Sequence, residues 1–310
     1  MLVEDELARF SPQQDTVLTI GVFDGVHLGH KHLISRLREE AVRQKMLSGV
    51  VTFRHDPEKL LSHHNKLPFL TEIEERVGLL KKEGVDFVVP LSFTPELAQL
   101  SAGHFIELLQ KHLRMRGLVV GPDFALGKDR EGNINYLGKL GRERNFTVTV
   151  APPLTVNGKT VSSTSIRKAI AEGDMNKYIE LTGRPFSLHG KVVTGAGRGE
   201  SLGFPTANLD VSSRHAVPQD GVYASMTHIN GNVYQSLTNI GSNPTFGKNE
   251  RTIESYLLNY SGDLYGRDIS IDFIAKLRDE KKFGNAGDLK KQVAEDIRRG
   301  MEILNSKSAK

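Results

Sequence analysis

Gly21-Val22-Phe23-Asp24-Gly25-Val26-His27-Leu28-Gly29-His30 decides the reading of this chain. It joins an apolar strand pattern, Val17 to Phe23, to a helix pattern in which Leu33, Ile34, Leu37 and Ala41 share one face. A second apolar run, Gly49 to Phe53, completes a β-α-β unit. The N-terminus of a helix carries backbone N–H groups without partners and the positive end of the helix dipole, so it attracts anions. His27 and His30 add nitrogen donors there, while Gly25 and Gly29 let the backbone approach a ligand closely. Such a cradle suits phosphoryl or nucleotidyl transfer, with the histidines neutralising charge that develops on a phosphate under attack.

The alternation continues outward. Thr71 and Glu74 read as a capping box ahead of Ile73, Val77 and Leu80, with Gly84 ending that helix and Val85 to Val89 forming a strand. Ser101 caps a helix through Leu113; strands follow at Leu118 to Val120 and Thr147 to Val150, with a helix over Tyr136 to Arg144 between them. To about residue 150 this predicts a doubly wound parallel sheet, a Rossmann-like α/β domain whose ligands bind beyond the carboxyl ends of the strands, where the His27 turn lies.

After Gly183-Arg184-Pro185 strand patterns follow one another without helices: Lys191 to Thr194, Val222 to Ile229, Val233 to Ile240, Thr252 to Asn259 and Ile269 to Ile274. Asn230-Gly231 marks a hairpin, since both turn positions accept positive φ. This predicts an all-β domain, barrel or sandwich. It is closed by an amphipathic helix with Leu289, Val293, Ile297 and Leu304 as its apolar stripe, and Asn305 to Lys310 read as a frayed polar tail. The domains are expected at 1–182 and 183–310.

Composition agrees with a two-domain globular chain: 310 residues, 38% hydrophobic and 25% charged, with no cysteine and hence no disulfide or thiolate metal site. The acidic N-terminus, with Glu4, Asp5 and Glu6, does not resemble a signal peptide, and no apolar run is long enough to span a bilayer. A cytoplasmic enzyme is expected. The net charge of +4 fits small anionic substrates at least as well as nucleic acid.

Two further segments carry chemistry. Val161-Ser162-Ser163-Thr164-Ser165-Ile166-Arg167 enters a helix, so the Ser163 and Thr164 hydroxyls can donate to phosphate oxygens while Arg167, one turn on, offers a planar cationic fork. Val120-Gly121-Pro122-Asp123-Phe124 ends a strand with a carboxylate and a ring suited to stacking a flat ligand.

These motifs resemble the nucleotidyltransferase module of bacterial bifunctional riboflavin kinase/FAD synthetases. Gly190 to Gly195, then Leu202-Gly203-Phe204-Pro205-Thr206-Ala207-Asn208-Leu209, resemble the riboflavin kinase module of the same family, followed in register by Gly221-Val222-Tyr223, Asn239-Ile240-Gly241, Pro244-Thr245-Phe246, Ile253-Glu254 and Leu264-Tyr265-Gly266. The resemblance implies a six-stranded Greek-key barrel for the second domain. It also implies two reactions: riboflavin with ATP giving FMN, then FMN with ATP giving FAD and pyrophosphate. It assigns Gly21, Phe23, Asp24, Gly25, His27, Gly29, His30, Asp123, Ser163, Thr164 and Arg167 to ATP for adenylylation, with His27, His30 and Arg167 catalytic. In the kinase half it assigns Gly195, Gly197, Arg198, Gly203, Pro205, Thr206, Asn208 and Arg278 to ATP or flavin, Thr206 and Asn208 to Mg²⁺, and Glu254 to the proton of the ribityl hydroxyl. Neutral oxygens from a threonine and an asparagine suit Mg²⁺, which completes its octahedron with phosphates and water. The expected partners are small molecules, with apo-flavoproteins as recipients of FAD and no nucleic acid or membrane; the expected state is a monomer or weak homo-oligomer.

The chain departs from the family at Phe53-Arg54-His55-Asp56-Pro57, where Phe-x-Pro-His-Pro is usual, and at Glu200, where arginine is usual. A class I aminoacyl-tRNA synthetase shares the His-x-Gly-His turn, but the Lys-Met-Ser-Lys-Ser segment is missing. An RNA-binding barrel would want interleaved aromatics on a basic face, which the acidic residues of the second domain dilute. One inactive half is a third alternative.

Overall fold

A computed structural model describes residues 3–54, 67–195, 199, 203–242 and 251–308. Its contacts divide the chain into two units, Met1–Ser163 and Thr164–Lys310.

In the first unit, five parallel strands lie in the order β3-β2-β1-β4-β7: β1 Thr16–Ile20, β2 Leu47–Phe53, β3 Phe87–Leu91, β4 Met115–Val120 and β7 Thr147–Val150. Strand direction of travel reverses between β1 and β4, which makes the carboxyl end of β1 the switch point where open α/β sheets bind ligands. Successive β1 residues supply opposite faces. Leu18 and Ile20 join the cluster of Phe105, Ile106, Leu109 and Leu137, and Val17 joins that of Ile34, Leu37 and Leu80. The helices are α1 Val3–Ala8, α2 Leu28–Gln44, α3 Ile73–Lys82, α4 Pro95–Ala98, α5 Ala102–Leu113 and α6 Ile134–Arg144. Short antiparallel pairs are formed by β5 Ala125–Leu126 with β6 Gly132–Asn133, and by β8 Thr155–Val156 with β9 Lys159–Thr160. The expected Ser101 cap is present: its hydroxyl accepts from the His104 amide at 3.2 Å.

Two local expectations are corrected here. The first strand stops at Ile20 rather than Phe23, because Phe23 lies at φ 52°, outside the extended region. Thr71 does not cap α3; the N-cap is Glu72, with no side-chain cap bond, and the Thr71 hydroxyl instead accepts from the Gly25 amide at 3.1 Å.

The second unit starts with α7 Ser163–Ala171, whose first residue closes the first unit, and α8 Met175–Thr182. Six strands then close into a barrel in the order β10-β11-β14-β13-β12-β15: β10 Phe186–Val193, β11 Ala207–Asp210, β12 Gly221–Ile229, β13 Asn232–Ser242, β14 Arg251–Leu257 and β15 Asp268–Arg278. Three consecutive antiparallel strands, β12 to β14, with β11 returning beside β14, make the Greek key. Antiparallel pairing of β10 with β15 decides barrel over sandwich. Asn230 and Gly231 turn the β12–β13 hairpin with φ of 50° and 82°.

The barrel interior is unusually polar at one level. Ser225, Thr227, Ser236, Thr238 and Ser255 are fully buried and joined through their hydroxyls, four of the links at 2.8 to 3.1 Å. Outside, α9 Ala286–Ser308 lays Leu304 onto Val222, Ala224, Leu237 and Leu277. The expected frayed tail is corrected: Asn305 to Ser308 stay helical, held by the Gln235 amide on Asn305 at 2.8 Å and by the Lys307 ammonium on the Ile274 carbonyl at 3.3 Å and the Asn176 side chain at 3.1 Å.

Candidate active sites

After β1 the chain turns with positive φ at Phe23, Gly25 and Val26 (52°, 80° and 34°), a conformation that a β-branched valine resists. A buried clamp imposes it. The Asp24 carboxylate, 3% exposed, accepts from the amides of Leu70 and Thr71 and from the Thr71 hydroxyl at 3.1 to 3.2 Å, and faces Arg76 at 3.5 Å. Arg76 in turn donates to the carbonyls of Val22, Phe53 and Thr71. Asp24 is thus turned into the protein, holding the loop in shape.

His27 is the N-cap of α2, and its Nδ1 accepts from the His30 amide at 3.2 Å. With Nδ1 an acceptor, a neutral His27 carries its proton on Nε2 as a donor. The two imidazoles stack at 3.6 Å between centroids, and the Phe23 ring meets His30 edge-on at 5.1 Å. Space is tight at Gly29: a methyl group there would lie 3.1 Å from the His27 ring and 3.2 Å from the Val161 carbonyl. The Ser163 hydroxyl donates to the Asp24 carbonyl at 3.1 Å. Thr164 is exposed and Arg167 half-buried further along α7. Asp123 and Phe124 line a cavity of about 510 Å³ with Arg130, Asn133 and Asn135. Arg130 donates to the Asp123 carbonyl at 3.1 Å.

In the barrel, Asn208 on β11 stands opposite Glu254 on β14, and Thr206 lies just before β11. The Asn208 amide rests against Gly195 so closely that any Cβ at residue 195 would overlap it, and the Thr206 hydroxyl approaches Gly199. Gly203 turns with φ 84°, and Pro205 is exposed. Arg278 is committed elsewhere: its guanidinium pairs with the buried Asp296 of α9 at 2.8 Å. Beside it, the Phe283 ring carries Arg278 and Lys281 at 5.8 and 5.7 Å and lines a cavity of about 490 Å³ with Lys281, Lys282, Lys291 and Gln292.

Residues 10–165 match the family model for FAD synthetase, and residues 182–304 that for riboflavin kinase. The bifunctional riboflavin kinase/FMN adenylyltransferase of Escherichia coli (strain K12) is 38% identical over 288 residues, spanning 92% of each chain. The chain belongs to this bifunctional family. The protein of the same name from Pseudomonas fluorescens is also 38% identical, over 91% of this chain and 90% of its own. A crystal structure of a Streptococcus pneumoniae protein named a macrolide-efflux protein superposes with a TM-score of 0.86 at 30% identity, covering 93% of this chain and 94% of that one. No described helix of the present enzyme is long and apolar enough to cross a membrane.

For a riboflavin kinase/FMN adenylyltransferase, the structure brings together His27, His30, Gly25, Gly29 and Ser163 in one place and Thr206, Asn208, Gly195 and Glu254 in another. Gly197, Arg198, Glu200, the segment from His55 to Pro57, and Pro244-Thr245-Phe246 lie outside the described residues. Sequence reasoning missed Thr71 and Arg76 as the clamp, Arg130 beside Asp123, and the Phe283 cavity. Arg76 was detectable, since it falls in the apolar stripe of Ile73, Val77 and Leu80, where a charge must find a buried partner.

Proposed function

We propose that this enzyme converts riboflavin and ATP to FMN and ADP in the 183–310 module, and FMN and ATP to FAD and pyrophosphate in the 1–182 module, each with its own ATP site. The observation that carries the reading is the placement of two dissimilar anion-directed constellations in separate units. One is a histidine-capped helix N-terminus. The other is a glycine-cradled amide facing a carboxylate.

In adenylylation the FMN phosphate oxygen attacks the α-phosphorus of ATP, and the bond to the bridging oxygen breaks with pyrophosphate leaving. His27 Nε2, His30 and the free N–H groups of α2 supply preorganised donors for the charge on the phosphates, Gly21, Phe23 and Gly25 shape the approach, and Ser163, Thr164 and Arg167 bind phosphate oxygens. Asp24 contributes as the residue that keeps the loop in its strained shape. Asp123 and Phe124 serve the flat part of a ligand in their cavity.

In phosphorylation Glu254 takes the proton of the terminal ribityl hydroxyl as its oxygen bonds to the γ-phosphorus and ADP departs with the electron pair. The donor set suits Mg²⁺: the Thr206 hydroxyl and Asn208 carbonyl are neutral oxygens at a glycine-lined cradle, leaving room for phosphates and water. When bound, the ion neutralises phosphate charge and holds the triphosphate for attack. The Phe283 cavity is lined by a ring, three lysines and the carboxylates of Asp288 and Glu295, a mixed lining that does not single out a phosphate-bearing ligand. A cytoplasmic, monomeric or weakly associating enzyme that hands FAD to apo-flavoproteins completes the reading.

Incubation with riboflavin, ATP and Mg²⁺, followed by chromatography of the flavins, tests it. FMN and FAD should both accumulate. Well-folded protein that makes neither refutes the reading, and one product alone, with FMN supplied as a control, assigns the other half as a remnant.

A further inference from the structure

We propose that Asn239 aims the Glu254 carboxylate, making it a positioning residue of the kinase reaction; this rests on the assignment of Glu254 as the base. The barrel register puts Asn208, Glu254 and Asn239 directly opposite one another on β11, β14 and β13. Residues so paired present their side chains on one face, with Cβ atoms about 4.5 to 5.5 Å apart, within reach of an amide and a carboxylate. Their sequence neighbours Ile253, Ser255, Thr238 and Ile240 are buried in the barrel interior, which leaves Glu254 and Asn239 half-buried on the outer face.

An ionised carboxylate can only accept hydrogen bonds, so what its two flanking neighbours can donate determines how it is held. Asn208, packed against Gly195, is the neighbour already assigned to the cation. Asn239 has two N–H donors and no competing role assigned to it. Beyond it in the same row come Val222, which has no polar side chain, and Arg278, which is bound to Asp296. An amide is the fitting choice. It fixes a carboxylate through hydrogen bonds without cancelling the charge that lets the group accept a proton, as a lysine or arginine in its place would.

Steady-state kinetics of riboflavin phosphorylation by the full chain with ATP and Mg²⁺ test this. Asn239→Ala should lower kcat about tenfold, as misaimed catalytic groups do, while KM for riboflavin and ATP stays within twofold. Asn239→Ser, which keeps a donor, should recover most of the loss. In a Glu254→Ala background, Asn239→Ala should cost nothing further, because a residue that acts only through another has no effect once that other is gone. Wild-type kcat in Asn239→Ala, a loss that appears in KM alone, or a full additional loss in the double variant would overturn the proposal. If Glu254→Ala by itself phosphorylates riboflavin at the wild-type rate, the base assignment falls and the proposal falls with it, an outcome distinct from the other three.

Discussion

Asp24 and Arg76 face each other at 3.5 Å with side chains 3% and 1% exposed, and the backbone between Val22 and Gly25 is arranged around them. Each also satisfies several backbone groups, so neither can be removed without leaving buried donors or acceptors unpaired. Asp24→Asn turns an acceptor toward donors with an N–H of its own. Breaking a buried pair in this way costs about 3 to 5 kcal/mol. We expect early thermal unfolding of the first unit and loss of FAD synthesis while FMN synthesis persists; a melt with calorimetry and both assays on one sample check it.

Substitutions at the two sites should cross cleanly. His30→Ala removes a ring from the stacked pair at α2 and should abolish FAD formation while sparing FMN formation. Glu254→Gln should cut kcat for phosphorylation by about 10²- to 10⁴-fold and leave adenylylation of supplied FMN intact. Separate product analysis with riboflavin or FMN as the starting flavin reads this, and the reverse pattern would overturn the site map.

Gly195→Ala should act on the kinase half alone. The added carbon would collide with the Asn208 amide at its nitrogen, carbon and oxygen, so either the loop or the amide must move. A rise in KM for ATP in phosphorylation of about tenfold or more is expected from a displacement near 1 Å. Initial rates across ATP and Mg²⁺ concentrations measure it.

Acid should weaken the barrel through His189. Although more than a third of its surface is exposed, partial desolvation, first, and the neighbouring His215 and His228 push its pKa below the usual value, against the opposing attraction of Asp272, so the effect on stability is small. The unfolded chain therefore binds the proton more readily than the folded one, and stability falls as pH drops below about 6.5, the ordinary histidine value. His189→Gln should flatten that slope between about pH 7 and 5 in thermal melts of the kinase half, with His228, Asp272 and His215 unaltered.

Much of this architecture was legible in the chain because hydrophobic period and turn chemistry are local. Ile34, Leu37 and Ala41 do form the buried stripe of α2, and Asn230-Gly231 does turn a hairpin. What was misread depends on distant partners. Thr71 has the spacing of a cap, but its hydroxyl is used by Gly25, far away in sequence. Strand alternation looks alike in a barrel and a sandwich, and only the pairing of Phe186–Lys191 with Asp268–Phe273 settles which one forms. The last helical turn persists through bonds to Gln235, Asn176 and Ile274 that no window of nearby residues contains. At the candidate sites the motif glycines and histidines were visible, while Arg76, which shapes the loop, required a buried charge within an apolar stripe to be taken at face value.

The linked hydroxyls inside the barrel give the kinase half a means of rejecting its own misassembly. Were β13 to slip by one residue against β12 or β14, Ser236 and Thr238 would swing out of the interior, breaking the links they make to Ser225, Thr227 and Ser255. That loss adds to the penalty any one-residue slip already carries by turning the buried face toward solvent. Fidelity of strand alignment, and with it the row that holds the carboxylate beside its two amides, is thereby written into five small alcohols that never meet a substrate.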